Sequence, residues 1–498
     1  SGFRKSLGHN DRAPRGQVPR NRQPVRRPAA RKPRVQTRYV GGIYLNVPER
    51  SVYPTAQVSH EDESNPGWEI VGDSVPEPLP AGVPAENPPG VEHDFELEAP
   101  GEVFNEEIED YDAADLGYED SAGPPLESCE PCGGPFCTPC CMPRFPRGLS
   151  VHADYLFWWS DGLSSPALVT TSPNGTARDD AGVLSEPGTQ VLYGGDGLND
   201  NLLSGGLITV GYWFCPCECT GLEVTFLSIS GNDPTTFDSL GNPILARPFF
   251  NTQTGLEDAE LIAFPDFVSG SMTVIPETHF SATDVMIRQV VSRRPCSRLH
   301  FLGGYRFAGL DERLAFDESL LTGTTNTGVP SGTRIRLTEL FDTRNDFNGP
   351  QAGLSGTFRR RRASWDLVMK LAFGSTRSET LIAGATTITT PDGTSTTNQG
   401  GLLALPSNIG RFTDRKFAMM PEIGIRWNYQ WNRRWSTSIG YSLVYLSQVA
   451  RPGDQIDRNL NLSQLPPDTL AGAARPEFQF KYSDFTAQGL SLGLELAF

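Results

Sequence analysis

Residues 129–141 read CEPCGGPFCTPCC and bring Cys129, Cys132, Cys137, Cys140 and Cys141 within one short stretch. Two C-x-x-C pairs so close together fit two chemistries. Four thiolates could hold a tetrahedral zinc ion, or the sulfurs could pair as disulfides in an oxidising compartment. Cys215, Cys217 and Cys219 follow in CPCEC, and Cys296 stands alone in RRPCSR. Nine cysteines is an odd number, so at least one is free or bonded to another molecule. Disulfides are the expected state, with the odd thiol available to an envelope protein.

Other catalytic signatures fail on their context. Gly489-Leu490-Ser491-Leu492-Gly493 fits G-x-S-x-G formally, but that motif needs a strand-to-helix turn and a later histidine, and none follows. Neither H-E-x-x-H nor a phosphate-binding P-loop occurs. The expectation is therefore a protein without enzymatic activity, cofactor or metal; the enzymatic alternative is a barrel protease with Asp and His at its loop rim.

The elements that would position these residues are strands. From residue 149 onward, segments of about ten residues alternate apolar with polar. VHADYLFWW (151–159) puts Val151, Ala153, Tyr155, Phe157 and Trp159 on one face. Similar faces recur near 207–214, 222–228, 284–291, 299–307, 351–358, 365–373, 422–431 and 435–445, and the chain ends in GLSLGLELAF. That makes ten strands, each close to the ~9–11 residues that cross a bilayer when tilted. The connections alternate between short turns and long loops, as in an outer-membrane barrel. Aromatics gather at strand ends, Trp427, Trp431 and Trp435 at one rim and Phe157, Trp159 and Phe307 at the other. A β-sandwich explains the alternation but not this clustering. The predicted fold class is all-β, an antiparallel transmembrane barrel of about ten strands, with DERLAF (311–316) and ETLIAGATTIT (379–389) either extending strands or adding a hairpin to make twelve.

The parity of these strands turns His152, Asp154, Glu223, His300, Arg306, Asp366, Lys370, Glu422, Arg426 and Glu495 toward the lumen. Mixed charge there is salt-bridged filling or pore lining. An apolar terminal strand must pair with the first to remove both sheet edges.

Ahead of the barrel the composition shifts. Residues 1–38 carry twelve Lys/Arg against Asp11 alone, and 49–128 carry twenty-two Asp/Glu against Arg50 alone, in a chain of net charge −17. Both stretches are proline-rich and poor in large apolar residues, so 1–128 reads as a disordered polyampholyte tail and 129–148 as a cysteine-rich neck before the barrel at 149–498. The basic block lacks interleaved aromatics, which argues against nucleic acid. YVGGIYLNV (39–47) could form a strand or a docking peptide. The chain lacks an initial Met and an apolar leader, as in a mature form whose signal peptide has been removed.

The ordered series ADYLFWW (153–159), LVTTSP (168–173), PGTQVLYGG (187–195), GYW with GLE (211–223), LARPFFN (245–251), GGYRF with LDE (303–312), LALPSNIGRF (403–412), ARPGDQID (450–457) and DFTAQGLSLGLELAF resembles the putative β-barrel porin-7 family of planctomycete outer-membrane proteins. The resemblance spans about 149–498 and implies an outer-membrane barrel surrounded by lipid. It also implies that the C-terminal aromatic strand is read by the barrel assembly machinery; the even strand count is what puts both barrel termini, and with them the tail and cysteines, on the short-turn, periplasmic side. Three of the motifs fall in long loops, and long patterned loops usually act. They are expected to fold inward as a constriction charged by Arg247, Arg411, Arg451, Asp454 and Asp457, with Glu422 and Arg426 lining the pore. The functional expectation is porin-like passage of small solutes. The alternatives are a plugged structural barrel that anchors an envelope layer through its tail and cysteines, and a secreted β-sandwich.

Overall fold

The computed structural model describes residues 148–498 apart from 196, 199–201, 215–218, 327 and 466–469, together with two short strands, Tyr39–Val40 and Ile43–Tyr44, that pair with each other. Apart from those two strands, the expected tail and all but the last residue of the cysteine neck lie outside the described residues, as do Cys129, Cys132, Cys137, Cys140, Cys141, Cys215 and Cys217.

Ten strands form the barrel: β1 (Leu149–Ser160), β2 (Leu202–Trp213), β3 (Thr220–Asn232), β4 (Val268–Arg294), β5 (Ser297–Thr322), β6 (Arg334–Arg360), β7 (Ala363–Thr389), β8 (Gly410–Gln430), β9 (Trp435–Val449) and β10 (Ser483–Ala497). Each pairs antiparallel with the next. β10 returns to β1 through Leu490↔Phe157, Leu492↔Tyr155 and Leu494↔Ala153, closing the ring. The terminal strand's leucines are about half exposed, on the outer surface. The count is ten: 311–316 and 379–389 extend β5 and β7. Two short strands, Thr235–Ser239 and Ser395–Gln399, add to the extended parts of β4 and β7.

Outward-facing residues near the short-turn end form a continuous apolar band. On β7 it runs from Trp365 through Leu367 and Met369 to Phe373, roughly 26 Å along the strand. At the ~35–45° tilt of such strands this stands about 20 Å tall, approaching the ~25 Å apolar belt of an outer-membrane barrel. Phe358, Trp365 and Trp427 are paired neighbours at its lower edge, and Trp159, Phe307 and Phe373 mark the upper edge. So extended an apolar surface calls for an apolar surrounding, as hydrocarbon supplies around a membrane barrel.

Four strands, β4 to β7, run 26 or 27 residues, far beyond the expected crossing length. The physical reason is an inversion of polarity along each strand. Above Asn348, β6 turns Asp346, Arg344, Arg336 and Arg334 outward and Phe347, Phe341, Leu337 and Ile335 inward. Arg336 pairs with Asp317 of β5 at 2.7 Å across this wet outer face. The lower half is built for lipid outside, and the upper half for water outside and an oily core. Gly349 and Gly374 meet at the junction, where a Cβ on either would lie 2.1 Å from the other strand's backbone oxygen, so the strands approach there more closely than any side chain permits.

That core is filled by a second, five-stranded sheet made from three long loops. Leu245–Asn251 pairs with Leu256–Ala263 and Val169–Thr171, the last pairs with Gln190–Tyr193, and Asn459–Leu460 runs parallel to Leu245–Asn251. Leu245, Phe249 and Ile262 of this sheet pack with Met272, Phe316, Leu337 and Phe341 of the barrel strands.

The two environments make opposite demands on outward positions. Leu492→Arg or Ile425→Arg, mid-band, should cost about 2–4 kcal/mol in equilibrium unfolding from lipid vesicles, whereas Thr338→Arg on the wet part of β6 should fall within about 0.5 kcal/mol of wild type.

Candidate functional site

The lumen falls into three levels. At the short-turn end lies a vestibule of about 600 Å³. Its walls carry nearly all the lumenal residues expected from strand parity. Arg306 of β5 is bound to Asp284 of β4 and Glu422 of β8, and Lys370 Nζ of β7 lies 2.9 Å from Asp284 and 3.2 Å from Glu422. Two cations and two carboxylates thus tie four strands together with no net charge, which is how buried ions are tolerated. Arg288 pairs with Glu223 at 2.7 Å, and Arg426 with Asp154 at 2.9 Å beside His152. Asn428 donates to Asp366 at 2.6 Å, and Ser436 to Glu495 at 2.9 Å. His300 lies against Trp213, ring centroids 5.7 Å apart.

Above the vestibule the lumen is shut. Every strand contributes at least one buried apolar inward residue to a single layer: Leu156, Leu203, Ile229, Phe280, Leu310, Phe347, Ala372, Met420, Leu446 and Phe485, none more than 2 % exposed. The Phe280 and Phe485 rings, from strands four places apart in the ring, are 5.3 Å apart and bridge the lumen. A ten-strand barrel is narrow enough for side chains alone to fill it. This septum was not anticipated, because its residues sit at positions that parity assigns to a polar interior.

The third level holds the loop motifs. Arg451 is 3 % exposed, bonds Glu312 at 2.7 Å and Asp161 at 3.0 Å, and stands over the Phe485 ring at 5.7 Å. Asn345 grips the adjoining backbone from both sides, donating to the Ala450 carbonyl at 2.8 Å and accepting from its N–H at 2.9 Å. Arg247 is 1 % exposed among Glu318 at 3.1 Å, Glu260 at 3.9 Å and Glu339. Glu339 also accepts from the Ala404 N–H at 2.8 Å, so ARPFFN and LALPSN meet on one carboxylate. These glutamates escaped the sequence reading, although Glu339 interrupts the inward row Ile335, Leu337, Phe341 and could have been found by parity.

The other proposed constriction residues behave differently. Asp454 accepts from Ser483 Oγ at 2.6 Å, and Asp457 pairs with Arg475 at 3.3 Å; both brace loops away from the vestibule. Arg411 is a correction. Position 411 has outward parity on β8, the side chain is 62 % exposed, and it pairs with Glu379 on the outer face. Of the cysteines, Cys219 and Cys296 lie at the short-turn end, with Cys296 exposed; no disulfide joins them.

Well above the apolar band, the Arg247 cluster sets three carboxylates around one guanidinium. Burial pushes the Glu318 carboxyl up to about 7 against the pull of Arg247, and Glu339 adds to the rise. Glu312 is likewise raised by burial, with Arg451 opposing, and the carboxylates hold both arginines firmly protonated.

A family model described as Putative beta barrel porin-7 (BBP7) matches residues 151–498. No curated protein matches the chain. Among solved structures, the outer-membrane protease OmpT from Escherichia coli is 10 % identical with a TM-score of 0.35, covering 71 % of this chain and 98 % of its own. A Pseudomonas aeruginosa FadL homologue is 9 % identical with a TM-score of 0.17, covering 70 % and 89 %. The P. putida toluene transporter TodX is 8 % identical with a TM-score of 0.15, covering 71 % and 91 %. The expectation that the chain is not an enzyme is corrected here: the absence of a sequence motif gives no ground for excluding catalysis, and an outer-membrane protease is among the structures it is similar to.

The raised Glu318 fixes a pH dependence. The folded protein keeps a proton that the unfolded chain releases above the ordinary glutamate value of 4.5, so stability falls as pH rises from there through about 7. Glu318→Gln should flatten that fall, whose full size is on the order of 3 kcal/mol; denaturant midpoints measured across this range check it.

Proposed function

The chain belongs to the family described as putative beta barrel porin-7 and is an outer-membrane β-barrel, and from that premise we propose that it is a porin-like path for small solutes held shut at rest. The observation that carries this reading is the apolar septum between a charged vestibule and a loop-filled upper lumen. A dry layer of this kind stops ions by withholding hydration. Passage requires the Phe280–Phe485 contact to part and the 451–457 segment above it to move, so the inward-folded loops act as the gate. Arg451 is the latch. Its release leaves Glu312 buried without a partner, which opposes opening strongly.

A second reading has its own support. The upper half is filled by one continuous cluster of buried apolar side chains, which suits a plugged barrel that presents a surface or anchors an envelope layer. In either case we place the short-turn end in the periplasm, where Cys219, Cys296 and the neck would meet an oxidising milieu, with one thiol available to an envelope partner. The terminal aromatic strand, ending at Phe498, would serve the assembly machinery.

Planar-bilayer recordings separate the two readings. Wild type should show rare small steps or none, and Phe280→Ala should give frequent steps, with deletion of 451–457 raising conductance further. Steady large steps in wild type would show the septum is not a seal. Verified insertion of the variants without current would favour the anchor. For orientation, Cys296 should react with an impermeant maleimide only after the outer membrane is breached; labelling in intact cells would reverse the placement.

A further inference from the structure

The barrel wall has a seam that backbone pairing leaves open. β8 and β9 are laddered from Gln430↔Ser436 up to Glu422↔Val444. Above that, β8 continues to Gly410 bonded to β7, and β9 continues to Val449 bonded to β10. Among the described residues no strand takes the other side of Gly410–Pro421.

The sequence builds this break from both sides. The Met419 N–H donates to Ser447 Oγ at 2.9 Å, on the side facing β9. The nitrogen of Pro421, two residues on, faces the same way and has no proton to give, so the next rung of the ladder lacks its donor. On β9 the register slips between Leu446 and Val449, and Gln448 holds φ +56, a conformation that non-glycine residues seldom take.

Side chains stand in for the ladder. The segment leading into β10 places Phe478 and Tyr482 against the inward row of β8. Phe478 stacks on Phe412 at 3.8 Å, Tyr482 donates to Asp414 at 2.7 Å, and Lys416 lies 5.2 Å from the Tyr482 ring. Such contacts can let go one at a time, whereas parting a laddered pair of strands breaks backbone bonds along its length.

The lower end of the seam reaches the lipid. Pro421 and Met419 sit opposite Leu371 and Phe373, at the upper edge of the apolar band, and Phe417 just above them is 69 % exposed. An unladdered edge at that depth is costly in hydrocarbon. Behind it stand Ala418, Met420, Leu446 and Val449, all buried and all part of the septum's apolar cluster. The residues from Phe417 to Pro421 and from Tyr445 to Val449 carry no charge.

We propose that the β8–β9 seam is a lateral port, through which an uncharged apolar solute dissolved in the bilayer reaches the upper face of the septum. An ion or a sugar finds no partner along this lining, whereas an apolar solute loses nothing on leaving the hydrocarbon. Entry displaces the Phe478–Tyr482 segment and leaves the loop-built sheet, with its buried ion clusters, in place. The port rests on the passage reading for the onward step only; entry from the bilayer needs no current.

The test is photolabelling of the full chain in lipid vesicles with an apolar aryl diazirine, each labelled residue being located by peptide mass spectrometry. Ala418, Met420 and Leu446 should be labelled at least about fivefold more than Leu156 and Leu203, inward residues of the same layer behind the unbroken β1–β2 ladder. Excess N-phenyl-1-naphthylamine, an uncharged aromatic, should displace that label. Pro421→Val restores the missing donor and should lower labelling at least about threefold, and Phe478→Ala with Tyr482→Phe should raise it by a similar factor. Heat-shifted gel migration verifies that each variant is folded, and the competition is read on the wild type whatever the variants do. Equal labelling behind both strand pairs overturns the port. Labelling that the competitor does not displace, or that neither folded variant moves, assigns it to general breathing of the wall and overturns it too. Displaceable labelling in a Phe280→Ala protein that passes no current would sink the passage reading alone; current without labelling at the seam would sink the port alone.

Discussion

The rest of the structure depends on the pairing of β10 with β1. In hydrocarbon every backbone N–H and C=O must find a partner within the protein, so an open sheet cannot span a bilayer. The ladder from Ser150↔Ala497 to Ser160↔Ala487 closes the ring and joins the first barrel segment to the last. Once the ring is closed, parity is fixed on every strand at once, because a slip of one residue would turn Leu492 inward and Ser491 into lipid. The number of strands then sets the width, and ten leave a lumen that side chains can span. Phe280 and Phe485 do span it, so the septum is a consequence of closure at this strand number more than a separate device.

Closure explains the lower half, but not why β4 to β7 continue far above the bilayer. Their upper parts obey the rules of a water-soluble barrel, with Arg334, Arg336 and Arg344 outside and Ile335, Leu337 and Phe341 inside. An oily interior of that length would be unstable if hollow, since each apolar side chain gains only when another covers it. The loop-built sheet supplies the cover. Among the described residues its buried ions gather in two places, around Arg247 and around Arg451, and each cation there meets more than one carboxylate. Buried charge of this kind adds little net stability compared with well-packed apolar groups, but removing one member leaves another stranded. It therefore fixes where ARPFFN, LALPSN and RPGD sit more than how tightly they hold.

Much of this was legible in the sequence. The ten crossings, the long-loop and short-turn sides, and the outward row of each strand followed from period-two alternation, because lipid leaves no freedom over which face is apolar. Strand lengths did not follow. An outward apolar row was the signal sought, and on β6 that row stops at Pro350 while the strand continues to Arg334 with the opposite polarity. Read with the inward face apolar instead, RIRLTELFDTRNDF alternates just as cleanly. Arg411 was misplaced for the same reason: its segment was taken as loop, and only as part of β8 does its parity point it outward. Arg247 and Arg451 were found as motif residues, but their partners Glu318, Glu339 and Glu312 could be named only once distant strands were adjacent.

The three levels of the lumen differ in how their charges are satisfied, and this sets what each can do. In the upper level the acids outnumber the arginines and burial raises the Glu318 carboxyl to about 7, so that region answers to pH. The septum holds only apolar side chains and answers to force or to movement of its neighbours. In the vestibule the inner ions are paired with one another across strands, and a cavity of about 600 Å³ remains beside them. The vestibule is thus the level with room for a solute before any packing is broken.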